Sequence, residues 1–526
     1  MSPQGPHHEP NATALDWLAV FAGALGALIA SLDISITNSA LPQIQGEVGA
    51  SGTEGTWIST GYLVSEVVMI PLSAWLSRLL GMRKLLLTCA ILFTAFSVMC
   101  GASHSLATMI IGRVGQGFFG GALIPTAQTI VRTRLPRHQM PVGMTIFGLI
   151  VLLGPLLGPV IGGTLTEHVS WQWCFFINIP VAVALVSLLL LGMPPEKADL
   201  HELVNADWLG NVGLSVGLSS LTIVLEEGQR DQWFDSQLIR TLSIAAVVGL
   251  AAMGVAQFTA RKPVIKLQLL KNRSYAGATV IVVSVGMVLY GILYVLPQFL
   301  SGIAGYNAEQ SGWVLALSGV PAFLLMPVLP RILGRANIRL LVLLGLLCFA
   351  ASCFIDIHLT AESSGSDFII SQLLRGVGQI LSFMPLNQVS VGAVSRADAA
   401  DAAGFFNMAR NLGGSIGLAL LGVFIDRRVE GHADMIRESV NANSQLVQER
   451  IAQQAAFFAA RGGDLAHGEQ QALGALAAQI HQQAMVITYS ECFWILGLCL
   501  VLMLPLILVL RDPPAHPPGA PPAEAH

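Results

Sequence analysis

A chain of 526 residues with 54% hydrophobic and only 11% charged residues, and a mean hydropathy of +0.67, cannot cover a soluble protein's surface, where charged residues make up about 25%. The net charge of −4 supplies no basic stripe and argues against a nucleic-acid partner. Cys89, Cys100, Cys174, Cys348, Cys353, Cys492 and Cys499 all lie in apolar runs without metal-ligand or redox spacing, and read as packing residues.

The first fourteen residues are polar and lack Lys and Arg, so the basic start of a signal peptide is missing. The apolar stretch from Leu15 to Ala40 then reads as an uncleaved first helix. A spanning helix needs about 20 mostly apolar residues. That length places spans at 15–40, 56–76, 84–103, 106–131, 140–163, 172–193, 207–226, 238–259, 274–300, 311–334, 338–358, 367–394, 402–425 and 486–510. The seventh and eighth carry the weakest signal; without them twelve spans are left. Residues 426–485 are rich in Ala, Gln and Glu, which favour helix. They read as an outer helical hairpin broken at Gly462-Gly463 that docks a partner, with a solvated loop as the alternative. The Pro/Ala-rich tail at 511–526 reads as disordered.

Lys and Arg in the short loops set orientation. With the N-terminus inside, the inner connections hold Arg78, Arg83, Lys84, Arg132, Arg134, Arg137, Lys197, Arg261, Lys262, Lys266, Lys271, Arg273, Arg331, Arg335, Arg339 and Arg396, with Arg511 beyond the last span. The short outer loops hold only Arg230 and Arg240. Both termini are therefore expected in the cytoplasm.

Five segments carry a family likeness. Leu32-Asp33-Ile34-Ser35-Ile36-Thr37-Asn38-Ser39-Ala40-Leu41-Pro42 ends the first span, and Arg113-Val114-Gly115-Gln116-Gly117 lies in the fourth. Gly154-Pro155-Leu156-Leu157-Gly158-Pro159-Val160-Ile161-Gly162-Gly163 lies in the fifth, and Trp171-Gln172-Trp173-Cys174-Phe175-Phe176-Ile177-Asn178-Ile179-Pro180 opens the sixth. Asn407-Met408-Ala409-Arg410-Asn411-Leu412-Gly413-Gly414-Ser415 lies in the thirteenth. In this order they resemble the LDxTIxNxALP, RxxQG, GPxxGPxxGG, WRWIFxINxP and thirteenth-span patterns of the major facilitator superfamily. Within it they resemble the fourteen-span drug/proton antiporters of the EmrB/QacA type. The outer segment before the last span looks most like the EmrB branch.

The resemblance implies an all-α membrane protein of two six-helix bundles plus two inserted helices, about 14 transmembrane helices in all. The tail at 1–14 precedes an N-terminal bundle at 15–193. Inserted spans and inner loops at 194–273 follow, then a C-terminal bundle at 274–425 and 486–510. It also implies proton-coupled multidrug efflux across the inner membrane, with a periplasmic membrane-fusion adaptor and through it an outer-membrane channel. No cofactor and no metal are expected. One departure stands out: where the family loop after the second span reads GxLADRxGR, this chain has Ala74 through Arg83. Arg78 occupies the place of the acid, followed by Gly81 and Arg83, so the usual conformational latch is in doubt.

Ionisable groups inside a bilayer are costly and usually functional. Asp16, Asp207, Glu226, Glu227, Asp356, Asp401 and Glu491 fall at span ends and read as interfacial and solvated. Asp33, Glu66, Arg113, Arg375 and Arg410 fall deep. At 1.5 Å per residue, Asp33 and Arg113 both lie about 10 Å below the outer surface, so they can pair as a proton-coupling element or as a static brace. Glu66 lies near mid-membrane with no basic neighbour at helical spacing. A lone buried acid is held neutral, because burying the charge costs far more, and it could trade its proton for a cationic substrate. A permanently neutral, hydrogen-bonded acid is the competing reading. Asn38, Gln116, Arg375, Gln379 and Asn407 complete the expected substrate cavity with Glu66. Gly154, Gly158 and Gly162 share one helix face that allows close contact, and Pro155 and Pro159 permit bending. With Gly163 they are expected to form a hinge seam between the bundles, or a packing face alone.

No GxxxxGK[ST] phosphate loop, HExxH pair or intramembrane nucleophile set is visible, so an enzyme is not expected. A nutrient or metabolite facilitator of the same superfamily and a non-transporting receptor or scaffold stay open. Small amphipathic drugs, cationic ones included, are the expected substrates.

Overall fold

The computed structural model describes residues 11–511 except 51, 137, 197, 200, 205, 261–262, 326–327, 396–397, 441–444 and 460–464. The readings made for residues 1–10, Gly462-Gly463 and the tail after Arg511 lie outside the described residues. So do Arg137, Lys197, Arg261, Lys262 and Arg396 of the loop charges.

Every regular element among the described residues is a helix. The helices are α1 Ala14–Glu47, α2 Trp57–Leu80, α3 Met82–Gly101, α4 Leu106–Arg134, α5 Met140–His168 and α6 Asn178–Gly192. There follow α7 Trp208–Glu227, α8 Gln237–Thr259, α9 Arg273–Gly302, α10 Ala308–Ala316, α11 Ile338–Ile355 and α12 Ile369–Gly392. The last three are α13 Ala399–Ser439, α14 Gln445–Ala459 and α15 Leu465–Leu502. Short polar side chains start several of them: Thr13 and Asp16 form a reciprocal capping box on α1, Asp207 caps α7, and Asn272 caps α9.

Twelve helices among the described residues are long and apolar enough to cross a membrane. In order they fall on expected spans 1–4, 6–9 and 11–14. The fifth position holds α5, 29 residues long. At the tenth the chain is broken: after α10 come a 3-10 turn at Leu317–Gly319 and short helices at Val320–Leu325 and Leu329–Arg335. Pro321 and Pro330, which cannot donate to a helix ladder, fall in those two short pieces.

Two large apolar cores organise the molecule. One gathers residues of α1–α6, from Ala19 to Met193, and the other residues from Ala278 to Leu510, with Leu149 of α5 reaching into it. The α7–α8 pair packs closely on itself, since a Cβ at Gly213 would lie 2.7 Å from the Gly249 carbonyl. Its Leu214 and Leu218 form a small separate core with Val67, Val68 and Ile70 of α2 and Met408 of α13. The inserted pair therefore touches both halves. Residues 426–485 are helical where described except at Val440: α13 runs 41 residues, far past the expected end at 425, and α15 begins at Leu465. Between them α14 packs along α15.

Candidate functional site

The deep acid on α1 meets the deep base on α4. Asp33 is fully buried and its carboxylate pairs with the Arg113 guanidinium. It also accepts from Gln116 Nε2 at 3.0 Å and from Asn178 Nδ2, on α6, at 2.8 Å. Arg113 donates further to the Ile58 carbonyl at 3.2 Å and to Gln116 Oε1 at 3.1 Å, and it lies 4.3 Å from the Tyr62 ring centroid. Three helices are thus tied to one carboxylate. Asn178 and Tyr62 were missed as site residues. Asn178 sits inside the motif that opens the sixth span, and Tyr62 is four residues before Glu66, on the same face of α2.

Glu66 is 1% exposed, and its Oε2 has no hydrogen bond among the described residues. The backbone of α4 comes close here: a Cβ at Gly121 would lie 2.6 Å from the Glu66 carbonyl oxygen. Arg410, from α13 of the opposite half, and Arg113 both act on it electrostatically. Arg410 is 5.3 Å from the Phe383 ring and donates to Asn411 Oδ1, which also accepts from the Tyr290 hydroxyl at 3.4 Å. A sequence-local search for a cation could not find Arg410, which lies 344 positions away (410 − 66).

The other expected cavity residues scatter. Gln116 belongs to the Asp33 network. Asn38 is exposed and accepts from Ser59 at 2.8 Å; Gln379 is half-buried. Arg375 turns into the C-terminal half instead, pairing with Asp356 at 2.6 Å beside Phe493. Asn407 bonds Gln128 of α4 at 2.8 Å and so bridges the two halves. Four of the seven span-end acids depart from the expected solvated setting. Asp207, Glu227, Asp356 and Asp401 are buried, each engaged in a cap, hydrogen bond or ion pair, because neighbouring helices cover the ends on which they sit.

The glycine face of α5 does not face the other half. A Cβ at Gly154, Gly158 or Gly162 would run into Ser31, Ser35 or Ser39 respectively, at 2.1–2.4 Å. Small residues four apart on α5 thus interlock with serines four apart on α1, inside the N-terminal half. The turn of α5 beside them makes the inter-half contact. Gly163 backs onto Glu309, and Gly312 of α10 backs onto Pro159 and Val160. Pro155 adds a second proline to this helix. The C-terminal half packs in a similar way: Gly413 and Gly417 of α13 back onto Val283 and Met287 of α9, as α5 backs onto α1.

On the face where α1 begins, Arg78 forms an ion pair with Asp401 of α13 at 3.0 Å. Lys266, just after α8, bonds Asp401 at 2.8 Å and Asp398 at 2.5 Å. Arg132 adds a bond to the Val394 carbonyl at 2.9 Å. The bonds from Lys266 and Ser395 hold the Asp398 carboxyl below its ordinary range. Gly81 ends α2 at φ 81°, where a Cβ would lie 2.7 Å from Glu196, and Arg83 reaches the Leu190 carbonyl at 3.5 Å. A link between the halves therefore exists where the family acid is missing, with the cation on α2 and the anion on α13.

Residues 23–418 match the Major Facilitator Superfamily family profile. The chain is 31% identical over 481 residues to the colistin resistance protein EmrB of Acinetobacter baumannii, covering 91% of this chain and 93% of that protein. It is 31% identical over 493 residues to the multidrug export protein EmrB of Escherichia coli K12, covering 93% and 94%. Among solved structures, the human organic anion transporter MFSD10 (TETRAN) superposes with a TM-score of 0.62 at 14% identity, over 94% of this chain and 99% of its own.

Proposed function

Because the chain belongs to the major facilitator superfamily, as an EmrB-type transporter, we propose that it is a proton-coupled multidrug exporter, moving amphipathic drugs out as protons come in. The reading rests above all on the Asp33 network. A proton on Asp33 cancels the charge that Arg113 needs, and a buried cation without its partner costs several kcal/mol. The helices tied to that carboxylate then have to rearrange, which makes protonation a conformational event. Glu66, on which Arg410 of the opposite half acts electrostatically, is the residue that a cationic drug would engage.

In this reading the membrane is the inner membrane, with both termini cytoplasmic, as the loop charges favour. The outer helices α13–α15 offer a docking element for a periplasmic membrane-fusion adaptor that leads to an outer-membrane channel. Inverted vesicles test the coupling. An imposed inward-acid gradient should drive dye accumulation, and added dye should discharge the gradient. Dye uptake that ignores the gradient, or that equilibrates without exceeding the outside concentration, refutes the antiport reading.

A further inference from the structure

A groove of about 430 Å³ opens between the end of α7 and the outer part of α13, a volume within the range of about 300–1,000 Å³ typical of small-molecule sites. Its walls are apolar, with Leu225 on one side and Ile416, Leu420 and Phe424 on the other. Its far rim is cationic, formed by Arg427 and Arg428. Trp233 closes the end near α7, in a turn where both Gln232 and Trp233 have positive φ, 56° and 51°. Such φ values are costly for these residue types. The indole is packed over Gly228, where a Cβ would lie 2.8 Å from the ring.

We propose that this groove holds one phospholipid with an anionic headgroup, taken from the leaflet away from the chain ends. Charge and depth carry the assignment. Arg427 is exposed and makes no hydrogen bond or ion pair among the described residues. Arg428 is joined to Glu491 with its side chain still 46% exposed, so the rim has cationic capacity left for a phosphate. From Ile416 to Arg427 is eleven residues of helix, about 16 Å, and one leaflet of hydrocarbon is about 15 Å deep. The guanidinium groups therefore sit at headgroup level while the apolar wall runs one acyl chain deep. Leu420, 58% exposed, faces outward from that wall, as in a groove that opens to the bilayer. A lipid held there would contact an inserted helix and the C-terminal half at once, and so cement their seam.

Native mass spectrometry of the purified chain in detergent tests this, titrating phosphatidylglycerol, phosphatidylethanolamine and oleate in turn. The unaltered chain should bind one phosphatidylglycerol about fivefold more tightly than phosphatidylethanolamine, the weight of one arginine at a membrane surface. Arg427→Gln changes an exposed side chain and should erase that preference while keeping lipid binding. Ala419→Trp fills the groove and should weaken both lipids, with the thermal midpoint read alongside. Equal affinity for the two lipids in the unaltered chain overturns the proposal, as does a preference that survives Arg427→Gln. Oleate displacing phosphatidylglycerol at equal concentration also overturns it, since the groove would then take single-chain amphiphiles.

Discussion

Replacing Asp401 by Asn removes the anion that Arg78 and Lys266 share. The Asp401 side chain is 2% exposed, whereas those of Arg78 and Lys266 are 32% and 31% exposed. Both cations can therefore turn to water once the carboxylate is gone, and Lys266 keeps Asp398. The loss is then nearer that of a charged hydrogen bond than of a buried ion pair, about 1–3 kcal/mol. Against a two-state equilibrium this lowers the ratio of latched to unlatched forms about 5- to 150-fold. Hydrogen–deuterium exchange reads it directly, as faster exchange in peptides covering 74–82 and 399–407. The Lys266–Asp398 arm has a defined pH window. The Asp398 carboxyl is lowered, so its contribution is present above its unfolded value of about 3.9 and fades as pH falls through the folded one. Partial burial opposes the charge on Lys266, but its bonds to Asp398 and Asp401 prevail and raise it. Its share is complete below about pH 10.4 and lost as pH rises further. Once the base-catalysed intrinsic rate is divided out, protection of the latch amides should therefore be flat between pH 5.5 and 8.5, an interval inside about 4–10. Unchanged protection in Asp401→Asn, or a clear pH step in protection inside that interval, refutes this account of the latch.

Asp33→Asn and Arg113→Ala should each abolish drug efflux while the protein still reaches the membrane; near-normal efflux from either removes the pair from the mechanism. Glu66→Gln keeps the neutral acid's shape and should weaken export of permanently cationic dyes while sparing neutral ones, compared in one vesicle preparation. If both classes fall together, Glu66 is a coupling or structural residue instead. Exchanging 430–484 for a short Gly/Ser linker should spare transport in vesicles but lose resistance in cells, and equal loss in both would tie the segment to the pump cycle. Gly158→Val forces a branched side chain into Ser35, where even a Cβ comes within 2.4 Å. It should cost about 1–3 kcal/mol of stability, read as a lower melting temperature that Ser35→Gly partly restores.

Hydropathy made most of the spans legible, because the cost of unpaired backbone in a bilayer leaves helix as the one option for such a chain. The Asp33–Arg113 pair was legible too, since depth can be counted along two antiparallel helices. Partners drawn from other helices were not. Arg78 and Asp401 are 323 residues apart, and Asp356 looked like an interfacial acid until Arg375 was seen turned toward it. The glycine face of α5 was visible, but not what it faces: periodicity gives the angular position of a stripe and leaves the neighbour unspecified. The matching run of Ser31, Ser35 and Ser39 at the same four-residue interval was the available signal. The break in the tenth span was signalled by prolines that a hydropathy window averages away.

α13 is 41 residues long, about 60 Å, roughly twice the hydrocarbon thickness it has to cross. Its first third carries both Asp401 and Arg410, and its far third packs beside α15. A rigid rod held at its base behaves as a lever. A tilt of about 10° there sweeps the tip through about 10 Å, a displacement far larger than any side-chain rearrangement at the pair or the latch. If the proposed protonation at Asp33 tilts α13, whatever rests on the tip would move in step with it, and one continuous helix would turn a change of charge within the bilayer into motion well beyond it.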